Sequence, residues 1–357
     1  MNARERFLAA MRFEPVDHCP LWEWGPWAHT LERWKREGMP GDRAPQYAEC
    51  DPRPGCGVNF GMVPAFERVV LEETPEKITY IDERGVTMVE LRAKELSMPH
   101  WLDFPLKTPA DWVKMRERYD PASPERCPAD LKARVDNAHA AGQPVVIGQQ
   151  RDLSFFGAVR GWMGAEGAML AFYDQPEMVG EMMEFLADFH VEVLRRALDI
   201  APIDYVVCWE DMAFKTASLI SPKMFKQYLS PGYKRIADFV RSRGIDVIFV
   251  DSDGNVEELI PLWIEAGVNG VYPMEVQSGM DVVELRKTYG RDLLMMGGLD
   301  KRVLAQGPAA IDRELERKLP VAEQGGYIPT IDHSLPPDIS YDNFVHYWQR
   351  KKELLHL

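Results

Sequence analysis

The chain has 357 residues, enough for one α/β barrel or two ordinary domains, and no Ser/Gly/Pro-rich linker divides it. Its formal net charge of −14 argues against a nucleic-acid or anionic-membrane partner. Five cysteines without a Cys-x-x-Cys pair, no apolar run as long as a membrane span and no signal-peptide pattern together lead to the expectation of a cytoplasmic protein.

In chain order, residues 3–13 read as a helix with Phe7, Leu8 and Met11 on its apolar face, a lid for the bottom of a barrel. A first short strand and its loop follow at 20–27. There Trp22, Trp24 and Trp27 beside Glu23 either wall a flat substrate pocket or seal the barrel mouth, since tryptophan joins a large apolar face to a polar N–H. Residues 30–105 read as an excursion inserted after this strand. It holds a helical stretch at 31–37, a Gly/Pro/Cys-rich loop at 52–57, and a hairpin over 77–91 turned at Asp82-Glu83-Arg84-Gly85.

Beyond it, strands are expected at 144–148, 203–208, 246–250, 268–272, 293–296 and 327–329. Helices are expected at 131–140, 165–171, 176–199, 221–243, 257–265, 280–289 and 341–353. Repeated strand-then-helix units of this length give a parallel α/β fold, and seven or eight strands favour a closed (β/α)8 TIM barrel as a single domain over 1–357. No Gly-x-Gly-x-x-Gly follows the first strand, which weakens the dinucleotide-binding alternative.

In such barrels the working groups gather where strands end. The run Val247-Ile248-Phe249-Val250-Asp251-Ser252-Asp253-Gly254-Asn255 is the clearest case, a core strand delivering two carboxylates that leave on the same face because they are two residues apart. Gly254 permits a sharp turn and Asn255 caps the helix behind it. Polar groups follow other strands too. Arg151 is placed either to hold a substrate carboxylate or to pair with Asp152; Glu210 and Asp211, Glu275, Asp300 and His333 complete the rim.

So many acidic groups at one rim raise one another's pKa values or recruit a cation. Asp251, Asp253 and His333, with Glu275 or Glu210, would offer an oxygen-rich set with one nitrogen, compatible with Zn²⁺, Mn²⁺ or Fe²⁺. Without a metal, His333 would act as general acid or base beside Asp332 or an aspartate across the barrel, or would simply satisfy Ser334 or the backbone.

Several motifs carry a family resemblance: Arg4-Glu5-Arg6-Phe7, Pro20-Leu21-Trp22, Ile220-Ser221-Pro222, Gly297-Gly298-Leu299-Asp300 and Asp332-His333-Ser334-Leu335-Pro336-Pro337-Asp338. The chain resembles the uroporphyrinogen decarboxylase superfamily, which includes corrinoid- and coenzyme M-dependent methyltransferases. The resemblance implies a (β/α)8 barrel with its site at the strand C-termini. The methyltransferase branch carries His-x-Cys-Gly and a later cysteine as zinc ligands, where this chain has Asp251-Ser252-Asp253-Gly254 and His333. The decarboxylase branch carries Arg-Gln-Ala-Gly-Arg after its first strand, where this chain has Glu23-Trp24-Gly25-Pro26-Trp27, a poor match for an anionic tetrapyrrole. Asp253-Gly254 and His333 resemble decarboxylase motifs as well.

The resemblance thus implies a metal-dependent methyltransferase that moves a methyl group from a small methoxylated or methylated substrate to a corrinoid carried by a partner protein. Asp251, Asp253, Glu275 and His333 would be the ligands, zinc or another divalent ion the metal. Glu210, Asp211 and His333 would be catalytic, and Trp22, Glu23, Trp24, Trp27, Arg151 and Asp300 would bind substrate. A metal-free decarboxylase and a non-catalytic corrinoid-docking module are the rival expectations, and a homodimer is compatible with each.

Overall fold

The computed structural model describes residues 1–92, 98–149 and 153–357. Two sheets organise it. The first is antiparallel, in the order β1 (Val69–Glu73), β2 (Lys77–Ile81), β3 (Thr87–Leu91), β4 (His100–Asp103). The second is parallel and six-stranded: β5 (Val146–Gly148), β6 (Tyr205–Trp209), β7 (Ile248–Asp251), β8 (Gly270–Met274), β9 (Leu294–Leu299) and β10 (Tyr327–Ile331), each beside its sequence neighbour.

The fold is a (β/α)8 TIM barrel, and two irregular extended segments close the circle between β10 and β5. At one seam the Ile331 N–H donates to Glu23 Oε1 at 2.9 Å, and a parallel bridge between Pro26 and Leu335 is made by Trp27 N–H donating to the Leu335 carbonyl at 3.0 Å and Leu335 N–H to the Gly25 carbonyl at 3.2 Å. At the other, Cys56 N–H donates to the Val146 carbonyl at 3.0 Å and Val146 N–H to the Pro54 carbonyl at 3.1 Å. The two segments meet where Asp51 N–H donates to the Leu21 carbonyl at 2.8 Å. The expected strand at 20–27 is therefore a stave without a regular ladder. Residues 52–56, expected as a loop, form another stave, kept extended by Pro52 and Pro54.

Alternation along the staves sorts their side chains. Trp22, Val146, Tyr205, Val207, Val247, Phe249, Tyr272, Leu294, Met296 and Ile328 fill the barrel, and Phe7, Ala10 and Met11 of the helix Ala3–Met11 cover its bottom. The opposite faces pack against the outer helices.

The antiparallel sheet sits over the mouth as a flap with a small core of Tyr80, Val86 and Met88. The hairpin expected over 77–91 is β2 and β3; the edge strands β1 and β4, exposed along their length, have too little alternation to be read from sequence. The flap leans on the helix Phe156–Asp174, which starts nine residues before the expected 165 and kinks at Gly164 (φ +76°). A Cβ at Gly164 would lie 2.5 Å from the Phe104 ring, so the absent side chain is what lets the flap approach. Among the described residues no helix is long and apolar enough to cross a membrane.

Candidate active site

Strand β7 delivers its carboxylates as the spacing requires. Asp251 ends the strand opposite Tyr272, and Asp253 follows in the loop, 40% exposed. Ser252 between them turns the other way, and its buried hydroxyl accepts the Met212 N–H at 3.0 Å, locking this loop to the one after β6. Gly254 has φ +86°, and a Cβ there would meet the Phe214 carbonyl oxygen at 2.6 Å.

Across the mouth stands His333, just after β10, with Nε2 3.5 Å from Asp253 Oδ2. Its ring is nearly parallel to Trp24 (7°, centroids 6.0 Å apart) and to Trp27 (21°, 6.5 Å). Trp24 points inward because it lies two residues beyond inward-facing Trp22 on the first stave. It also meets the Tyr272 ring, at 6.3 Å.

Burial first, then the charge of Asp253, pushes the Asp251 carboxyl up to about 7, against a hydrogen bond from Tyr272. His333 is held above its ordinary value, chiefly by its hydrogen bond to Asp253. The mouth therefore holds two groups suited to proton transfer, a carboxyl that is partly protonated near neutral pH and an imidazole whose protonated form Asp253 favours.

The other sequence candidates divide. Asp211 lies at the rim with φ +44°, unusual for a side chain with Cβ, held by Arg160, which donates both to its carboxylate and, at 2.7 Å, to its carbonyl. Glu275 stands near Lys301 (3.8 Å) and accepts from the Gly254 N–H at 3.0 Å, so it braces the β7 loop. Arg151 lies outside the described residues.

Four expectations are corrected. Glu210 is fully buried and faces outward: it accepts the Phe155 and Gly157 N–H groups, each at 2.8 Å, and the Tyr233 hydroxyl, so it fixes the start of the helix Phe156–Asp174 rather than meeting substrate. Its carboxyl is pushed up to about 7 because burial outweighs those donors. Glu23 also points out of the barrel. Its side chain and that of Lys351 are both 0% exposed and pair at 2.9 Å, with Tyr347, Ile331 and Trp24 donating as well. Trp22 lies low in the barrel, stacked on Phe7 at 5.1 Å. Asp300 caps the turn after β9 and pairs with Arg302 at 2.6 Å.

These placements dissolve the expected metal cradle. Asp253 and His333 face each other, but Glu275 is occupied by Gly254, Ser278 and Gln277, and among the described residues no three His, Cys, Asp or Glu side chains converge as ligands. The donor set does not fit a closed metal shell.

Beside the mouth, under the flap, lies a cavity of about 590 Å³, the size of a small-molecule pocket. Met62, Trp101, Phe104, Trp162 and Trp209 give it apolar walls, and Asp211 and Arg160 line it where it borders the barrel. Sequence reasoning missed Arg160, Tyr272 and Arg53. Arg53 stands inside the barrel, its guanidinium 4.7 Å from the Trp22 ring centre. The signal was Pro52-Arg53-Pro54: two prolines hold an extended backbone, and the alternation then turns the residue between them inward.

Residues 157–354 match the family model described as Uroporphyrinogen decarboxylase (URO-D), more than half of the chain. The chain belongs to the uroporphyrinogen decarboxylase family. It is 26% identical over 172 residues to the uroporphyrinogen decarboxylase of Maricaulis maris, covering 48% of this chain and 47% of that one. It is 24% identical over 139 residues to the chloroplastic uroporphyrinogen decarboxylase of Zea mays, covering 38% and 34%. The chain thus spans less than half the length of these curated relatives. A methyltransferase from Methanosarcina mazei shares the fold over 99% of both chains, with TM-score 0.59 and 15% identity. The family match takes in Asp251, Asp253 and His333, whereas Trp24, Trp27, Arg53 and the flap lie before it.

Proposed function

We propose that this URO-D family enzyme is a methyltransferase, taking a methyl group from a small, flat, methoxylated or methylated donor and passing it to a corrinoid on a partner protein. The observation that supports this reading is His333, 3.5 Å from Asp253 and stacked against Trp24 and Trp27, at the mouth where Asp251 ends its strand.

A methyl group leaves an ether oxygen only if the charge left on that oxygen is relieved. The methyl–oxygen bond breaks with its electron pair staying on oxygen, and Asp251 or the His333 imidazolium supplies the proton that neutralises it. A reduced corrinoid would supply the electron pair that accepts the methyl carbon. Trp24 and Trp27 hold the flat donor, and Asp253 keeps His333 cationic and oriented.

The curated relatives favour a second reading, decarboxylation, in which the same donors protonate the carbon left by loss of CO₂. Glu23-Trp24-Gly25-Pro26-Trp27 stands where the decarboxylase branch has Arg-Gln-Ala-Gly-Arg, so those arginines are missing for a polyanionic tetrapyrrole, which places this reading second. The deciding experiment incubates the protein with chemically reduced cobalamin and 4-methoxybenzoate or 2-methoxyphenol, with a porphyrinogen decarboxylation assay in parallel. Formation of the free phenol, lost in Asp251→Asn, is expected; stepwise decarboxylation of the porphyrinogen with no demethylation would overturn the proposal.

A further inference from the structure

A cavity of about 150 Å³ already holds benzene, whereas the one under the flap measures about 590 Å³ and suits a planar ligand of more than one ring. The helix Phe156–Asp174 forms one wall, where it presents Gly157, Ala158, Gly161, Gly164 and Ala165, none larger than a methyl group. Two of these glycines have a packing reason. A Cβ at Gly157 would meet the Trp209 carbonyl oxygen at 2.7 Å, and one at Gly164 the Phe104 ring at 2.5 Å. Gly161 has none, since among the described residues a Cβ there would meet nothing within 4 Å. A helix-interior glycine costs up to about 1 kcal/mol against alanine, so Gly161 keeps open a space that the fold itself does not fill.

Where the cavity borders the barrel, Arg160 and Asp211 offer both a donor and an acceptor. Arg160 uses Nη1 for the Asp211 carboxylate and carbonyl; among the described residues its Nε and Nη2 have no acceptor, and Asp211 Oδ1 has no donor. Charge is already balanced there. Arg160 is matched by Asp211 and Arg84 by Asp82 at 2.7 Å, while Glu83 adds a further negative charge. A carboxylate would reach Arg160 only beside Asp211, and an ammonium would reach Asp211 only beside Arg160.

We propose that this cavity binds an uncharged, planar, two-ring aromatic molecule through a hydroxyl that donates to Asp211 and accepts from Arg160. One hydroxyl serves both side chains because it is donor and acceptor at once. The rings pack against Trp101, Phe104 and Trp162 and the bare helix face. Asp211 N–H donates to the Asp251 carbonyl at 3.3 Å, so the anchored hydroxyl stands next to the loop that carries Asp251. A methylated oxygen on the same molecule then faces the mouth. That role as methyl donor rests on the reading above; the pocket does not.

Calorimetric titration of the full chain with 2-naphthol, 2-naphthoate and 2-naphthyltrimethylammonium, without any corrinoid, tests it. The three share a ring system and differ in charge. 2-Naphthol is expected to bind, and both ions to bind at least about tenfold more weakly, because each would bring a charge with no free partner. Gly161→Leu is expected to weaken 2-naphthol by at least about tenfold, and Gly161→Ala by less than about threefold. Neither should lower the unfolding midpoint, since the added Cβ enters open space and glycine is the poorer helix former. Ala165→Leu narrows the same cavity from the next turn, guards against a misfolded Gly161 variant, and is expected to weaken 2-naphthol as well. Either ion binding as tightly as 2-naphthol, 2-naphthol indifferent to both leucine substitutions, or no heat from 2-naphthol at its solubility limit would overturn the proposal. Binding of 3-methoxy-2-naphthol that Gly161→Leu blocks, with no methyl group ever lost to reduced cobalamin, would support the pocket and sink the methyl-transfer reading.

Discussion

His333 Nε2 and Asp253 Oδ2 stand 3.5 Å apart across the barrel mouth, one from the last strand's loop and the other from the loop after β7. The pair joins two parts of the family-matched region that lie 80 residues apart in sequence (253 to 333). Asp253 is the main reason His333 holds its proton above the usual range, so Asp253→Asn is expected to return the imidazole pKa toward its ordinary value. Histidine NMR titration reads this directly. An unchanged His333 titration would remove Asp253 from the proton-handling role.

Asp251 carries the pH dependence in the other direction. Its folded-state pKa, about 7, lies above the unfolded value, so its contribution to stability is full below the ordinary carboxylate range and is lost as pH rises through about 7. Asp251→Asn is expected to narrow the stability difference between pH 5 and pH 8 by on the order of 2–4 kcal/mol, measured by urea unfolding at both values. In the proposed reaction the neutral carboxyl is the donor. The wild-type rate should therefore decline above about pH 7, and a rate flat from about pH 6 to pH 9 would remove Asp251 as the donor.

Lys351 and Glu23 make a fully buried ion pair. Lys351→Met leaves the Glu23 carboxylate without its cation and should cost roughly 3–5 kcal/mol in a denaturant titration. The double variant Glu23→Leu, Lys351→Met should be less damaging than the two single costs added together, because neither charge is then stranded. Additive losses would mean the two side chains act independently.

Metal analysis addresses Asp251, Asp253, Glu275 and His333 as ligands. After dialysis against zinc, manganese or iron(II), the parent protein is expected to retain well under one equivalent, because Glu275 is already committed to the Gly254 loop. Near-stoichiometric metal, absent from Asp251→Ala and His333→Ala, would show these side chains gathering around an ion.

Much of this was legible before any coordinates. Strong β-branched runs followed at once by acids gave β6 and β7, and the two-residue spacing put Asp251 and Asp253 on the same side. Residue type at a strand end did not say which way a side chain faces. Glu210 and Glu23 look like rim acids in sequence, yet each turns outward, one to the N–H groups that open a helix and the other to a lysine more than three hundred residues away. Such partners are long-range and leave no local pattern. Arg53 failed for the opposite reason: its proline neighbours suggested a loop, when they were holding a stave straight.

The Glu23–Lys351 seam has a consequence for how the molecule comes into being. Trp24 shares its stave with a residue whose cation belongs to the helix Tyr341–Leu354, so the wall that holds it is not completed until that helix has been synthesised. Chains cut short before residue 351 would present an open barrel with its aromatic interior uncovered. The mouth is thus assembled from segments more than three hundred residues apart.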